Sequence, residues 1–178
     1  MIAGQFLLCF RGLFNFLKDL VFNLALHYCQ NREDAEEVAQ DVFLTLHLKA
    51  KTFQYKSNIK TWIYRITINK SLDFLKAKKT LKRNFFFTAK RIDDEASTPI
   101  RHFEHPGVLL EEKEEIAQIF AAINKLSDKQ KTVVILLKIE QKSQVETAEI
   151  MNTTSKAVES LFQRAKFNLK NILKENEG

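Results

Sequence analysis

The side chains with the clearest chemical pattern lie near the C-terminus, on a predicted amphipathic helix that begins near Thr154. Opposite its apolar stripe lie four polar side chains at i, i+3, i+4 and i+7, namely Lys156, Glu159, Ser160 and Gln163. Side chains of these types hydrogen-bond to base edges in the major groove of DNA. The pattern predicts a surface that reads duplex DNA, although an ordinary solvated helix face has the same composition.

Groups suited to phosphate contact surround this polar row. Arg164 and Lys166 can reach the phosphates of a DNA backbone. Thr154 and Ser155 offer hydroxyl and backbone N–H groups at the helix start. A short helix precedes them, and Asn152, which tolerates the left-handed conformation, lies in the intervening turn. Two helices joined by a short turn, the second of them basic, are typical of a helix-turn-helix.

A second candidate nucleic-acid surface lies on the long helix predicted over residues 58–76. Ile59, Ile63 and Ile66 give this helix an inner face. Another face carries aromatic, amide and charged groups: Trp62, Arg65, Asn69, Asp73 and Lys76. Such interleaving suits stacking on bases and contact with the backbone of single-stranded or distorted DNA. Trp62 by itself is equally consistent with a core tryptophan.

No pattern of residues indicates catalysis or metal binding. The histidines lack metal-ligand spacing, and the chain has no phosphate-cradling glycine loop or nucleophile motif. Cys9 and Cys29 make neither a disulfide framework nor a zinc ligand set, and we interpret them as small buried hydrophobes in a reducing cytosol. The sequence therefore predicts a protein that is not an enzyme and needs no metal or other cofactor.

The elements that would position these surfaces are predicted to be helical. Only 4 Gly and 2 Pro occur in 178 residues, which is few for a turn-rich β protein. Charge is segregated along the chain. Residues 33–41 are acidic, residues 60–91 include ten Lys or Arg and one acidic residue, and residues 111–115 are acidic again. These blocks indicate separate surfaces for separate partners, and the net charge of +6 allows a polyanion as one of them without proving it.

Both prolines lie in residues 93–108, a stretch without apolar periodicity that the sequence predicts to be a linker. The Phe85–Phe87 triplet just before it is predicted to pack back on the first domain, with contact to a partner as the alternative. Beyond it, Ser127–Gln130 and Ser143–Glu146 have the form of capping boxes that open two helices. The apolar N-terminal stretch 1–29 is interrupted by charged residues, so we expect no membrane insertion and a cytoplasmic protein.

Two sets of motifs resemble extracytoplasmic-function sigma factors. Residues 31–44 (NREDAEEVAQDVFL), followed by 57–66 (SNIKTWIYRI), are similar to sigma region 2. Three later runs, residues 126–133, 147–151 and 155–166, are similar to region 4. Because the motifs match in order and separation over nearly the whole chain, the resemblance implies an all-α protein of two small helical domains joined by a flexible linker.

The resemblance implies that region 2 covers residues 1–84, the linker 85–112 and region 4 residues 113–178. It also implies an acidic helix that grips the β′ clamp of core RNA polymerase, and four residues are carried over as its contacts: Glu37, Gln40, Asp41 and Leu44. From the residues alone, Asp34, Glu37 and Asp41 share one helix face beside an apolar stripe of Ala35, Val38, Val42 and Leu46. A plain solvated acidic face is the alternative interpretation.

Family members capture the minus-ten promoter element, as it opens, with the loop that here spans Phe53 to Lys60 and the helix that follows. The resemblance implies eight minus-ten residues: Phe53, Trp62, Arg65, Asn69, Asp73, Lys76, Lys78 and Lys79. Asn69 and Asp73 match base-contacting positions. The basic residues that would contact the DNA backbone are Lys76, Lys78, Lys79, Lys82 and Arg83.

Region 4 would enter the major groove of the minus-thirty-five element. Seven residues are assigned to that contact: Thr154, Ser155, Lys156, Glu159, Ser160, Gln163 and Arg164. Glu159 occupies a position at which many family members have a basic residue. The partners that the resemblance implies are core RNA polymerase through its β′ clamp and β flap, promoter DNA, and an anti-sigma factor.

A stand-alone helix-turn-helix regulator is the alternative function. It explains the C-terminal half equally well, but it leaves the acidic helix and the tryptophan-bearing basic helix without a purpose. Binding to duplex promoter DNA without core polymerase would favour the regulator.

Overall fold

A computed structural model describes residues 17–53, 58–89 and 110–176. Seven helices occur in these ranges: α1 (17–29), α2 (Arg32–Lys49), α3 (Ile59–Ala89), α4 (Leu110–Asn124), α5 (Asp128–Val134), α6 (Gln144–Met151) and α7 (Ser155–Asn176). A 3-10 turn, Ala50–Thr52, follows α2, and a π-helical segment, Ile135–Ile139, continues α5. No strand occurs in the described ranges, which confirms the predicted all-α fold.

Helices α1, α2 and α3 form an N-terminal group around an apolar core. Asn31 caps α2, since its side chain accepts a hydrogen bond from the Asp34 backbone N–H at 2.9 Å. The predicted apolar stripe of α2 is confirmed: Ala35, Val38, Val42 and Leu46 are all buried. On α3, Ile63 is buried and Ile66 is half-buried, but Ile59 at the helix start is exposed, so the predicted inner face is shorter than expected.

Helices α4 to α7 form a C-terminal group with a core of its own, centred on buried side chains such as Phe120, Ile123, Val133 and Val158. The capping box that opens α6 is confirmed, because Ser143 and Glu146 exchange side-chain-to-backbone hydrogen bonds. The other predicted capping box is wrong: Ser127 precedes α5 but makes no side-chain capping bond.

The turn between α6 and α7 has the predicted left-handed residue. Asn152 has φ 51° and ψ 53°, and its N–H closes the end of α6. Thr154 then caps α7, because its hydroxyl accepts a hydrogen bond from the Ala157 N–H at 3.2 Å. This turn lets α6 and α7 pack on each other and leaves the outer face of α7 exposed.

The two groups contact each other through apolar side chains. Ile135, Leu136 and Ile150 of the C-terminal group are buried in the core of the N-terminal group. The Tyr28 hydroxyl donates to Thr132 Oγ1 at 2.9 Å in the same contact. The C-terminal group therefore lies against α1 and α3, which brings its surfaces close to those of the central helix.

Candidate polymerase and nucleic-acid interfaces

The proposed polymerase contact on α2 is a solvent-facing row. Glu37, Gln40, Asp41 and Leu44 are all exposed, and Leu44 leaves 59% of its surface open to solvent. Leu48 continues the row at i+11 from Glu37 and is 69% exposed, although it was not among the predicted contacts. Helical spacing from Leu44 could have identified Leu48. Leu44 and Leu48 therefore place two exposed apolar side chains beside the carboxylates of Glu37 and Asp41.

Asp34 departs from the acidic face on which the sequence placed it. It is 9% exposed, and its carboxylate forms an ion pair with Lys78 of α3. Lys78 also lies over the Phe74 ring, with its Nζ 5.4 Å from the ring centroid. Lys78 was predicted to contact the DNA backbone, and in the structure it joins α3 to α2.

The remaining predicted backbone contacts on α3 stay on the surface. Lys79 and Arg83 are exposed. Lys76 is exposed as well, and it forms an ion pair with Asp128 of α5 at 3.1 Å. Exposed ion pairs of this kind contribute about 0–1 kcal/mol, so the pair leaves Lys76 able to exchange its carboxylate for a phosphate.

Phe53 and Trp62 form an aromatic pair at the start of α3. Their ring centroids lie 5.0 Å apart with the planes tilted by 43°, and both side chains are half-buried. Trp62 is thus neither a core tryptophan nor fully exposed. Residues 54–57, the centre of the predicted minus-ten loop, lie outside the described residues. The half-buried pair provides aromatic surface next to that loop, where an unstacked base could be held.

Arg65, Asn69 and Asp73 do not share one environment. Asn69 and Asp73, which were predicted to contact bases, are exposed. Arg65 instead donates to two backbone carbonyl oxygens at the end of α6, those of Ile150 at 3.2 Å and Glu149. An open cleft of about 490 Å³ lies between α3 and the C-terminal group, and Arg65 and Asn69 are among its lining residues. Part of the predicted minus-ten face therefore looks toward the C-terminal group.

The outer face of α7 carries the predicted minus-thirty-five residues. Thr154, Lys156, Glu159, Ser160, Gln163 and Arg164 are exposed, and Ser155 is half-buried. The inner stripe packs against α4, α5 and α6, with Val158 and Ala165 at 0% exposure. Phe167 lies on the outer face and is 66% exposed, a position that the sequence reasoning did not single out.

The contact between the two helical groups contains buried charge. Lys131 is 4% exposed and donates to the Tyr28 carbonyl oxygen at 2.9 Å and to the Asn124 side chain. Burial lowers the pKa of Lys131 to about 8. Glu140 accepts hydrogen bonds from His27 Nδ1 at 2.9 Å and the Tyr64 hydroxyl at 2.7 Å. Burial would raise the pKa of Glu140, but these two hydrogen bonds prevail and lower it.

The part of the chain that the structure describes contains no reactive cysteine and no cluster of metal-ligating residues. Cys29 is buried as a free thiol, and burial raises its pKa to about 12, which keeps it protonated and unreactive. Cys9 and the Phe85–Phe87 side chains lie outside the described residues. Across ranges 17–53, 58–89 and 110–176, no cluster of three metal-ligating side chains occurs. Within the same ranges, no helix has the length and apolarity needed to cross a bilayer.

Comparison with known proteins identifies the family to which the chain belongs. The family described as sigma-70 region 2 matches residues 13–80, and the family described as sigma-70 region 4 matches residues 116–168. Together these matches span most of the chain and correspond to the N-terminal and C-terminal helical groups. The chain therefore belongs to the sigma-70 family of RNA polymerase sigma factors.

Individual relatives refine that class. The chain is 26% identical over 170 residues to the ECF RNA polymerase sigma factor SigW of Bacillus subtilis, covering 93% of this chain and 89% of SigW. It is 29% identical over 146 residues to the RNA polymerase sigma factor NccH of Alcaligenes xylosoxydans, covering 81% and 75%. Within the sigma-70 family, the chain is an extracytoplasmic-function sigma factor.

A solved structure has the same fold. The sigma factor RpoE in complex with the anti-sigma factor NepR, from Bartonella quintana, superposes with a TM-score of 0.62 at 21% identity. The superposition covers 93% of this chain and 96% of RpoE. At this level of identity the likeness extends to the arrangement of helices.

Proposed function

We propose that this sigma factor binds core RNA polymerase through α2 and directs it to promoters that α3 and α7 recognise. The observation that carries the proposal is the coexistence of three exposed surfaces of different character in one chain. The α2 row is acidic and apolar, α3 is basic with an aromatic pair at its start, and α7 is amphipathic and basic. A stand-alone regulator would need only the last of these.

On α2, the exposed leucines supply the apolar anchor, and Glu37 and Asp41 supply charge. Asp41 has a loose contact with Lys70, at 3.5 Å between Nζ and Oδ2, which a basic partner could replace at little cost. The proposed partner surface is the β′ clamp, with the β flap as a second contact of the C-terminal group. An anti-sigma factor would compete for these surfaces, as a partner of that kind is bound to RpoE in the solved complex.

On α3, the proposed event is capture of an unpaired minus-ten strand. Aromatic stacking supplies about 1–3 kcal/mol per base, which offsets the few kcal/mol needed to unstack it. Phe53 and Trp62 offer the rings, Asn69 and Asp73 the hydrogen-bonding groups, and Lys79 a cation for phosphate. Arg65 and Lys76 would first have to leave their partners on α6 and α5.

We also propose that the chain is a cytoplasmic subunit that catalyses no reaction and needs no cofactor. Phosphodiester chemistry would reside in the polymerase, and the chain would supply promoter choice. The sigma-70 family is one of transcription regulators, which supports this division of roles.

The direct test is in vitro transcription from a genomic promoter library with matching core polymerase. We expect core polymerase plus the chain to enrich promoters that share an upstream and a downstream element, whereas neither component alone enriches any. Binding of the chain alone to the same duplexes, with no stimulation of polymerase, would instead establish the stand-alone regulator.

A charge reversal tests the polymerase contact separately. Asp41→Lys should weaken holoenzyme assembly, measured by competition for core polymerase against the wild-type chain. Glu36→Lys is the matched control, because Glu36 is exposed on the same helix, lies about 140° around it from Asp41 and pairs with Arg32 at the surface. Equal affinity for core polymerase in Asp41→Lys and the wild-type chain would remove α2 from the interface.

A further inference from the structure

Phe167 lies at the centre of the outward face of α7. At 100° per residue, it stands about 20° around the helix from Lys156 and continues the row formed by Ser160 and Gln163. It is 66% exposed, whereas Val158 and Ala165 on the inner face are completely buried. Removing a large aromatic side chain from water is favourable, so a molecule that covers Phe167 would gain binding free energy from the contact.

The surroundings of Phe167 indicate what that molecule is. Its neighbours at i−4, i−3, i+3, i+4 and i+7 are Gln163, Arg164, Lys170, Asn171 and Lys174, all polar or basic and all exposed. No exposed apolar side chain adjoins it on the described part of the helix, so the face lacks the apolar patch typical of a protein-binding surface. The charge favours a polyanion, and the face is continuous with the predicted base-reading row.

We propose that Phe167 packs against the 5-methyl group of a thymine in the upstream promoter element. Contact between an apolar side chain and this methyl group is an established way of distinguishing thymine in the major groove. The inference rests on the proposed function of α7 as a duplex reader, and it adds a specificity-determining residue to that surface.

Helix geometry places the thymine relative to the other contacts. Phe167 is four residues beyond Gln163, a distance of about 6 Å along the helix axis. Whatever the angle between α7 and the DNA axis, that length spans at most about two base-pair steps of B-form DNA. The thymine should therefore lie within about two base pairs of the position that Gln163 reads.

Phe167 is accessible in the arrangement that the structure shows. The α7 residues that line the cleft facing α3 are Ala157, Leu161 and Arg164, and Phe167 is not among them. Its contact with DNA would therefore not depend on separating the two helical groups. Truncating a side chain this exposed should also leave the fold intact, so a change in binding can be assigned to the contact.

The test is a cycle between Phe167→Ala and removal of single thymine methyl groups. Duplexes carrying the enriched upstream element are prepared with each thymine replaced in turn by deoxyuridine, and holoenzyme affinity is measured by competition. We expect the wild-type holoenzyme to lose about fourfold in affinity at one thymine, the effect of about 0.8 kcal/mol for one buried methyl group. The Phe167→Ala holoenzyme should bind the thymine and deoxyuridine duplexes equally at that position.

Leu81→Ala is the matched control, because Leu81 is 70% exposed but lies on α3. It should retain the thymine dependence of the wild-type chain. Retention of that dependence by Phe167→Ala would overturn the inference, as would an equal loss on every duplex or an enriched element without thymine near the Gln163 position. If Gln163→Ala alters base preference in the same assay, the proposed reading function stands even when the Phe167 inference fails.

Discussion

Thr147 is a buried residue whose hydroxyl group has no hydrogen-bond partner among the residues that the structure describes. Its side chain lies on α6 and is 0% exposed. Leaving a buried hydroxyl unpaired costs about 1–3 kcal/mol, and valine has nearly the same shape. We therefore expect Thr147→Val to raise the free energy of unfolding by about 1 kcal/mol, measured by urea denaturation.

Thr67→Val provides the comparison for Thr147→Val. Thr67 is equally buried, but its hydroxyl donates to the Ile63 carbonyl oxygen at 2.9 Å. The substitution at Thr67 removes a satisfied hydrogen bond and should not raise stability. A gain of the same size at both positions would show that the unpaired hydroxyl of Thr147 is not the cause.

Lys78 and Lys79 are adjacent in the sequence but have different environments. Lys78 pairs with the buried Asp34, whereas Lys79 is exposed. Lys78→Ala should lower the free energy of unfolding by about 2 kcal/mol, because it removes the lysine that forms an ion pair with a buried carboxylate. Lys79→Ala should change it by less than about 0.5 kcal/mol, and equal effects in denaturation would contradict the structure.

Lys79 is consequently the better probe of phosphate contact. If it neutralises one phosphate, Lys79→Ala should reduce the slope of log affinity against log salt concentration by about 0.9 in holoenzyme–promoter binding. The result would bear on the backbone contact without the loss of stability expected for Lys78.

At the scale of the helix, two serines test how α5 and α6 begin. Ser143 forms a complete capping box with Glu146, while Ser127 occupies the N-cap position of α5 without a side-chain capping bond. Ser143→Ala should therefore lower the free energy of unfolding by about 1 kcal/mol, and Ser127→Ala by clearly less. Denaturation of the two variants under one set of conditions measures the difference, and a larger loss for Ser127→Ala would refute this account of the caps.

Sequence periodicity predicted the helices well where one face meets a core. The α2 stripe is buried as expected, and the inner face of α7 has Val158 and Ala165 buried with Leu161, Phe162 and Leu169 half-buried, because a 3.6-residue repeat brings those side chains to one side whatever they pack against. The predicted capping box at Ser127 failed because a cap depends on local rotamers as well as residue types. The π-helical segment Ile135–Ile139 has no sequence signature of this kind.

At the scale of the whole molecule, Glu140 connects the two helical groups. It belongs to the C-terminal group and accepts hydrogen bonds from His27 of α1 and Tyr64 of α3. These bonds lower the pKa of Glu140 in the folded chain. They therefore stabilise the folded chain fully at pH values above 4.5, the ordinary pKa of this carboxyl group. That stabilisation is lost as the pH falls through the lowered pKa.

Glu140→Gln should remove this dependence on acid. The glutamine side chain would keep hydrogen-bonding groups but could not titrate, so the difference in unfolding free energy between the wild-type chain and the variant should shrink as the pH falls below 4.5. Urea denaturation at a series of pH values measures it. Parallel stability curves for the two proteins would mean that Glu140 does not link the helical groups through its charge.

The sequence by itself determined the helical class, the order of the exposed surfaces and the family, and the comparisons confirm the family. These properties follow from local periodicity and from contiguous motifs such as residues 31–44. Assignment of the individual polymerase and DNA contacts remains a prediction, which the proposed variants test. Leu48 and Phe167 emerged only when exposure was known, although each continues a helical row that the sequence already contained.

Only the tertiary structure decided which polar side chains serve the fold. Asp34 pairs with Lys78 44 residues away, Arg65 donates to a carbonyl oxygen 85 residues away, and Lys131 reaches Tyr28 across 103 residues. No periodicity relates such distant positions, since their approach depends on how whole helices pack. Burial makes each partnership necessary, because an unpaired polar or charged group in a core is costly.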